Sequence, residues 1–262
     1  MKSIDKNNIK LVVTDMDGTL LTSEKSISVF SLNIIRKLRE RGILFVVATA
    51  RTATSIERNF PDLEFDAGIF QNGTMIRKGE EIISEIKIED PEILVQVIME
   101  KNPEVKIAIE SEGILFSNFD IEQIWRGANY VQTKDFREIY GKKAEKIVIG
   151  IQNEKEKENL KKYLSQDLQI QDSIDPIIVV MNHRAGKANG IKILAEHMHI
   201  TPEQIVAFGD EYNDIDMLEW CGIGVAMGNA IQSAKMISNE ICGKNDEDGV
   251  AKWLCNYFNI DM

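Results

Sequence analysis

The chain has 262 residues, 44% apolar and 28% charged, a composition that suits a globular protein large enough for two lobes. Its formal net charge of −11 at pH 7 argues against the basic track on which a nucleic-acid backbone binds. No apolar run reaches the length of about 20 residues that a helical bilayer span needs, so neither nucleic acid nor membrane is an expected partner.

Three cysteines, Cys221, Cys242 and Cys255, lack metal-ligand spacing and read as reduced thiols. Residues 1–6 lack the apolar core of a secretion signal, and together these features lead to the expectation of a cytoplasmic protein.

In chain order, the apolar run at residues 9–14 predicts a first, buried strand. Ser28 then has the character of an N-cap, and Phe30, Ile34, Ile35 and Leu38 follow at helical spacing up to Gly42. The β-branched run at residues 43–48 predicts a second strand covered on both faces, residues 52–60 a helix, and residues 67–70 a third strand. Strand–helix alternation of this kind implies α/β architecture with a doubly wound, Rossmann-like parallel sheet.

The pattern changes in the middle of the chain. Residues 91–101 predict a helix, and residues 105–110 and 114–117 a hairpin around Ser111-Glu112-Gly113. Residues 146–151 predict a strand. Helix and hairpin then recur as residues 154–164, 168–171 and 177–182. This is an α+β lobe over residues 84–184, inserted into a core made of residues 1–83 and 185–262. From residue 186 the first pattern resumes, with Ile191, Leu194, Ala195 and Met198 on one helix face. Strands at 205–208 and 223–226 and helices at 213–220 and 249–258 complete the core.

Ligands of an open parallel sheet bind beyond the carboxyl ends of its strands. Asp15-Met16-Asp17-Gly18-Thr19 follows the first strand, Thr49 the second, and Gly209-Asp210-Glu211-Tyr212-Asn213-Asp214 the fourth, while Lys187 opens the helix before that fourth strand. An ionised Asp15 is suited to attack phosphorus without a base. Asp17 is spaced to protonate the leaving oxygen and then to take a proton from water. Asp15 and Asp210 offer the hard oxygens that suit Mg²⁺, Lys187 adds a fixed positive charge, and the Thr49 hydroxyl and loop N–H groups can hold phosphoryl oxygens. Asn213 and Asp214 stand where they can orient a metal-bound water or the phosphate.

Three features read otherwise. Asp246-Glu247-Asp248-Gly249 copies the spacing of the first motif behind a polar loop and predicts a cap for the last helix. The glycines at 222, 224 and 228 miss the dinucleotide spacing by one residue. His197 and His199 are two apart on a helix, on different faces, and do not predict a shared metal.

These motifs together resemble the haloacid dehalogenase-like hydrolases, specifically Cof-type phosphatases with a large inserted cap. Asp15-Met16-Asp17-Gly18-Thr19-Leu20 resembles the first family motif, Ala48-Thr49-Ala50-Arg51 the second and Lys187 the third. Gly209-Asp210 with Asn213-Asp214-Ile215-Asp216-Met217 resembles the fourth. Gln71-Asn72-Gly73, Val225-Ala226-Met227-Gly228-Asn229-Ala230 and Glu247-Asp248-Gly249-Val250-Ala251 fall in family order. Ala188 departs from it, standing where glycine is usual.

The resemblance implies a Mg²⁺-dependent phosphatase. Asp15 would be nucleophile and metal ligand, and Asp17 the acid/base and a ligand through its backbone carbonyl. Asp210 and Asp214 would complete the metal set. Thr49, Lys187, Asn213 and the N–H groups of Met16 and Ala50 would hold the phosphate. The expected partner is a small phosphorylated metabolite, selected under the inserted lobe, with His183 and Arg184 as candidate leaving-group contacts. A phosphomutase, or a sensor that binds a phosphorylated metabolite without turnover, is the alternative.

Overall fold

The computed structural model of the chain describes residues 8–125, 128–172 and 176–261, so the segment 1–6 read above lies outside the described residues. The chain divides into two compact units, one over Met1–Glu85 with Gly186–Met262 and the other over Ile86–Ala185. The first unit opens with β1 (Leu11–Thr14), α1 (Val29–Glu40), β2 (Leu44–Ala48), α2 (Ala53–Asn59), β3 (Ala67–Phe70), β4 (Met75–Lys78) and β5 (Glu81–Glu85). The second unit holds α3 (Pro91–Lys101), β6 (Ile107–Ser111), β7 (Ile114–Ser117), β8 (Val131–Gln132), β9 (Lys146–Gly150), α4 (Glu154–Lys161), β10 (Leu168–Asp172) and β11 (Ile177–Asn182). The first unit resumes with α5 (Lys187–His197), β12 (Ile205–Gly209), α6 (Ile215–Trp220), β13 (Ile223–Ala226), α7 (Gln232–Ile237), β14 (Glu240–Ile241) and α8 (Gly249–Phe258).

In the first unit the strand order is β14-β13-β12-β1-β2-β3-β4-β5. The pairs from β14 to β3 are parallel, and β1, β3, β12 and β13 are buried along their whole length. Continuous burial explains why these strands read as apolar runs without alternation. Helix α1 starts where the Ser28 hydroxyl accepts the Ser31 N–H at 2.9 Å, and it buries Ile34, Ile35 and Leu38. Burial of a side chain of this size stabilises the fold by about 1.5–3 kcal/mol.

The second unit folds around a six-stranded sheet of order β10-β11-β9-β6-β7-β8, antiparallel except between β7 and β8. Its alternation is strict. Ile107, Ile109, Ile147, Ile149, Ile178 and Val180 pack with Leu94, Val95 and Ile98 of α3, while Ala108, Val148 and Ile177 face the opposite side with Phe119 and Ile121.

Three local readings change. The helix expected from residue 213 is a 3-10 turn, Tyr212–Asp214, followed by α6, because the Asp214 carboxylate accepts the N–H groups of Asp210 and Glu211 and tightens the turn. The sheet continues past β3 into an antiparallel hairpin, β4 and β5, where the sequence reading predicts no strand. Asp248 precedes α8 but does not cap it with its side chain. Its backbone is left-handed (φ 56°), and its carboxylate accepts the hydroxyls of Ser28 (2.5 Å) and Ser31 (2.9 Å) at the start of α1.

Candidate active site

Thr14 at the end of β1 registers with Phe208 of β12 on one side and Val47 of β2 on the other. Asp15, Thr49 and Asp210 therefore leave three adjacent strands at one edge. The Asp15 N–H donates to Phe208 O at 3.0 Å and that of Thr49 to Ile69 O at 2.8 Å, so both residues extend the sheet before turning out of it.

Lys187 is the first residue of α5 and is buried. Its Nζ donates to Asp15 Oδ1 and to Asp214 Oδ1, each at 2.6 Å. Burial alone would lower the lysine pKa, but the charges of Asp15 and Asp214 outweigh it and hold the ammonium protonated. Asp210 stands in the same group: one carboxylate oxygen each from Asp15, Asp210 and Asp214 lies within 4.8 Å of the others. Its Oδ1 accepts the Thr19 hydroxyl at 2.7 Å. Burial raises Asp15 well above the ordinary carboxylate range, against the pull of Lys187, and raises Asp210 to about 7.

Three buried carboxylates stand together with one lysine, which pairs with Asp15 and Asp214, and two negative charges remain in excess when all are ionised. That donor set, hard oxygens with a charge deficit of two, fits a divalent cation such as Mg²⁺.

Glycines permit the close approaches. A Cβ on Gly18, which sits at φ +81°, would lie 2.4 Å from Asp210 Oδ2. Gly73 (φ +88°) lies so near Gly186 that a Cβ would meet its carbonyl oxygen at 2.3 Å. The signature Gln71-Asn72-Gly73 thus joins the end of β3 to the start of α5 and seats Lys187. Its Asn72, left-handed at φ 55°, accepts the Asn213 side-chain amide at 3.1 Å.

The remaining predicted residues divide. Met16 is fully buried in the loop, Thr49 is buried, and Ala50 beside it is exposed. The Thr49 hydroxyl accepts the Arg51 N–H at 3.1 Å, which leaves its own proton free to donate elsewhere. The Asp17 carboxylate is bound by two cationic side chains. Arg51 donates to it through Nε and Nη2, and Lys25 through Nζ, each at 2.7 Å. Burial would raise Asp17, but the Arg51 and then the Lys25 hydrogen bonds prevail and hold it at about 2. Thr19, Asn72, Lys25 and Arg51 are the contacts that sequence reading did not assign. Thr19 and Arg51 stood inside quoted motifs, whereas Lys25 carried no local signal. His183 and Arg184 are exposed residues of the second unit.

The fold and site define an α/β protein with a lysine-bridged acidic group at the carboxyl edge of a parallel sheet. Residues 12–254 match the family model of haloacid dehalogenase-like hydrolases, and the chain belongs to that family. It is 31% identical to a putative phosphatase of Haemophilus influenzae, over 92% of this chain and 95% of that protein. It is 29% identical to the 5-amino-6-(5-phospho-D-ribitylamino)uracil phosphatase YitU of Bacillus subtilis, over 95% and 98% of the two chains. Among solved structures, a phosphatase of the same superfamily from Bacteroides thetaiotaomicron superposes with a TM-score of 0.84 at 25% identity, covering 96% of each chain.

Proposed function

We propose that this hydrolase is a Mg²⁺-dependent phosphatase that cleaves small phosphate monoesters through a phosphorylated Asp15. The observation that carries the reading is Lys187 bridging Asp15 and Asp214 at 2.6 Å, with Asp210 in the same buried group. A bare pair of ionised carboxylates would repel a phosphate, and this one is built to be neutralised.

In the first step an Asp15 carboxylate oxygen bonds to phosphorus while the bond to the leaving oxygen breaks, and that oxygen takes a proton from Asp17. In the second step a water oxygen bonds to phosphorus as the bond to Asp15 breaks. Asp17 takes the water proton back, and inorganic phosphate leaves. Lys187, the Thr49 hydroxyl, Asn213 and the N–H groups of Met16 and Ala50 hold the phosphoryl oxygens. Asp15, Asp210, Asp214 and the backbone carbonyl of Asp17 would hold Mg²⁺, which supplies positive charge to the phosphoryl group.

The substrate reading is a small phosphorylated metabolite, not nucleic acid. The net charge of −11 supports it, as does the phosphorylated ribitylamino compound in the name of the Bacillus subtilis relative. The core is residues 1–83 and 185–262, and residues 84–184 are the lobe that selects the substrate.

The test is turnover of a panel of sugar, nucleotide and cofactor phosphates with and without Mg²⁺. Wild type should release phosphate to water without a sugar bisphosphate activator, which separates a hydrolase from a phosphomutase. Asp15→Asn should abolish turnover with an unchanged circular-dichroism spectrum. Asp17→Asn should accept phosphate from an activated aryl ester and accumulate phosphoenzyme. Substantial turnover by Asp15→Asn would sink the assignment.

A further inference from the structure

We infer that Arg51 and Lys25 are positioning residues that hold the Asp17 carboxylate in a resting clamp, which opens when Asp17 serves a leaving group. This rests on the reading of Asp17 as acid/base. Arg51 Nε donates to Oδ2, while Arg51 Nη2 and Lys25 Nζ both donate to Oδ1, all at 2.7 Å. A carboxylate has about four lone-pair sites, so charged donors fill Oδ1 and leave one site on Oδ2. The forked pair with Arg51 also fixes the plane of the carboxylate. A group held this way cannot turn an oxygen toward a substrate without giving up part of the clamp.

Both arms of the clamp are themselves held. The Arg51 N–H donates to Thr49 Oγ1 at 3.1 Å, its carbonyl accepts the Gln71 N–H at 3.0 Å, and its guanidinium lies 5.6 Å from the centre of the Phe60 ring. Lys25 occupies a left-handed conformation (φ 58°), which only a constraint keeps in a residue with a side chain. The constraint is a tight turn: Lys25 N–H to Thr22 O and Thr22 N–H to Ser26 O, each 2.9 Å, with the Thr22 and Ser26 hydroxyls 2.8 Å apart. More than half of the Lys25 side chain stays exposed.

Both arms of the clamp hydrogen-bond the Asp17 carboxylate, and leaving groups differ in how much they need Asp17. A nitrophenolate departs as an anion, whereas a phenolate departs far more readily with a proton. Steady-state kinetics with 4-nitrophenyl phosphate and phenyl phosphate, two esters of similar shape, therefore isolate the clamp.

Lys25→Ala, in an exposed turn, should raise kcat on phenyl phosphate several-fold and leave kcat on 4-nitrophenyl phosphate within two-fold of wild type. KM should be unchanged for both. Arg51→Lys, which keeps a cation but loses the fork, should move the ratio of the two rates in the same direction. Equal changes on both esters, a rise in KM alone, or a selective loss on phenyl phosphate overturns the clamp and leaves the phosphatase reading standing. A wild-type chain that turns over neither ester overturns both.

Discussion

At the residue scale, Lys187 is the group on which the candidate site depends. It is buried with two carboxylates at 2.6 Å, and removing one member of a buried ionic group leaves the rest uncompensated, at a cost of about 3–5 kcal/mol. Urea unfolding of Lys187→Met should show a loss of that size without Mg²⁺ and a smaller one with it, because a cation among Asp15, Asp210 and Asp214 replaces the lost charge. An equal loss in both conditions would mean that Mg²⁺ does not replace the lost charge of Lys187. Chemistry of this kind was legible in the sequence because Asp, Lys and Thr were recognisable at strand ends. The partner of each was not: Asp15 and Lys187 lie 172 positions apart, and only the parallel register of β1 with β12 and the packing of α5 bring them together.

At the element scale, α1 is held at its first turn from the far end of the chain. Asp248 accepts the Ser28 and Ser31 hydroxyls, and Asp246 accepts the Ser23 N–H and hydroxyl at 2.7 Å. Asp248→Ala should cost about 1–2 kcal/mol, as loss of charged hydrogen bonds does, and lower the midpoint of thermal unfolding by several degrees. A variant as stable as wild type would show that the Ser28 cap suffices alone.

In the second unit, Glu145 follows the isolated bridge of Ala144 with Ile88. One of its oxygens lies 3.2 Å from Lys87, while the other is buried without a hydrogen-bond partner among the described residues. Burial raises its pKa above the ordinary 4.5, and the Lys87 charge offsets this in part. The native state therefore binds the proton more tightly than the unfolded chain. The stability Glu145 contributes is fully present below 4.5 and is lost as pH rises through the raised native value. The unfolding free energy of wild type minus that of Glu145→Gln should fall as pH rises above 4.5, and a flat difference would contradict the shift.

For the whole molecule, a ligand that binds only the folded state stabilises it by about 2.7 kcal/mol at a hundred times its Kd. Millimolar Mg²⁺ should raise the unfolding temperature of the wild type, and Asp210→Asn should remove most of the rise. No shift in wild type would remove the cation from the proposal. Replacing residues 86–185 by a short linker should flatten the preference among small phosphate esters if that segment selects the substrate. An unchanged order of preference in a folded, active core would refute its role. Among the described residues, no helix is long and apolar enough to cross a membrane.

The sequence by itself determined the alternating strands and helices of the sheet, the bounds of α3, α8 and β13, and the chemical types gathered at the strand ends. These are local properties: β-branched runs, helical spacing of apolar residues, caps and glycine turns act within a few positions. Only the tertiary structure decided that Asp17 faces Arg51 and Lys25, that Asn72 meets Asn213, that β4 and β5 extend the sheet, and that Asp248, the N-cap residue of α8, gives its carboxylate to α1. Each of those contacts depends on strand register, chain crossing or a close glycine approach. These conditions arise when distant segments pack, and no local period in the sequence records them.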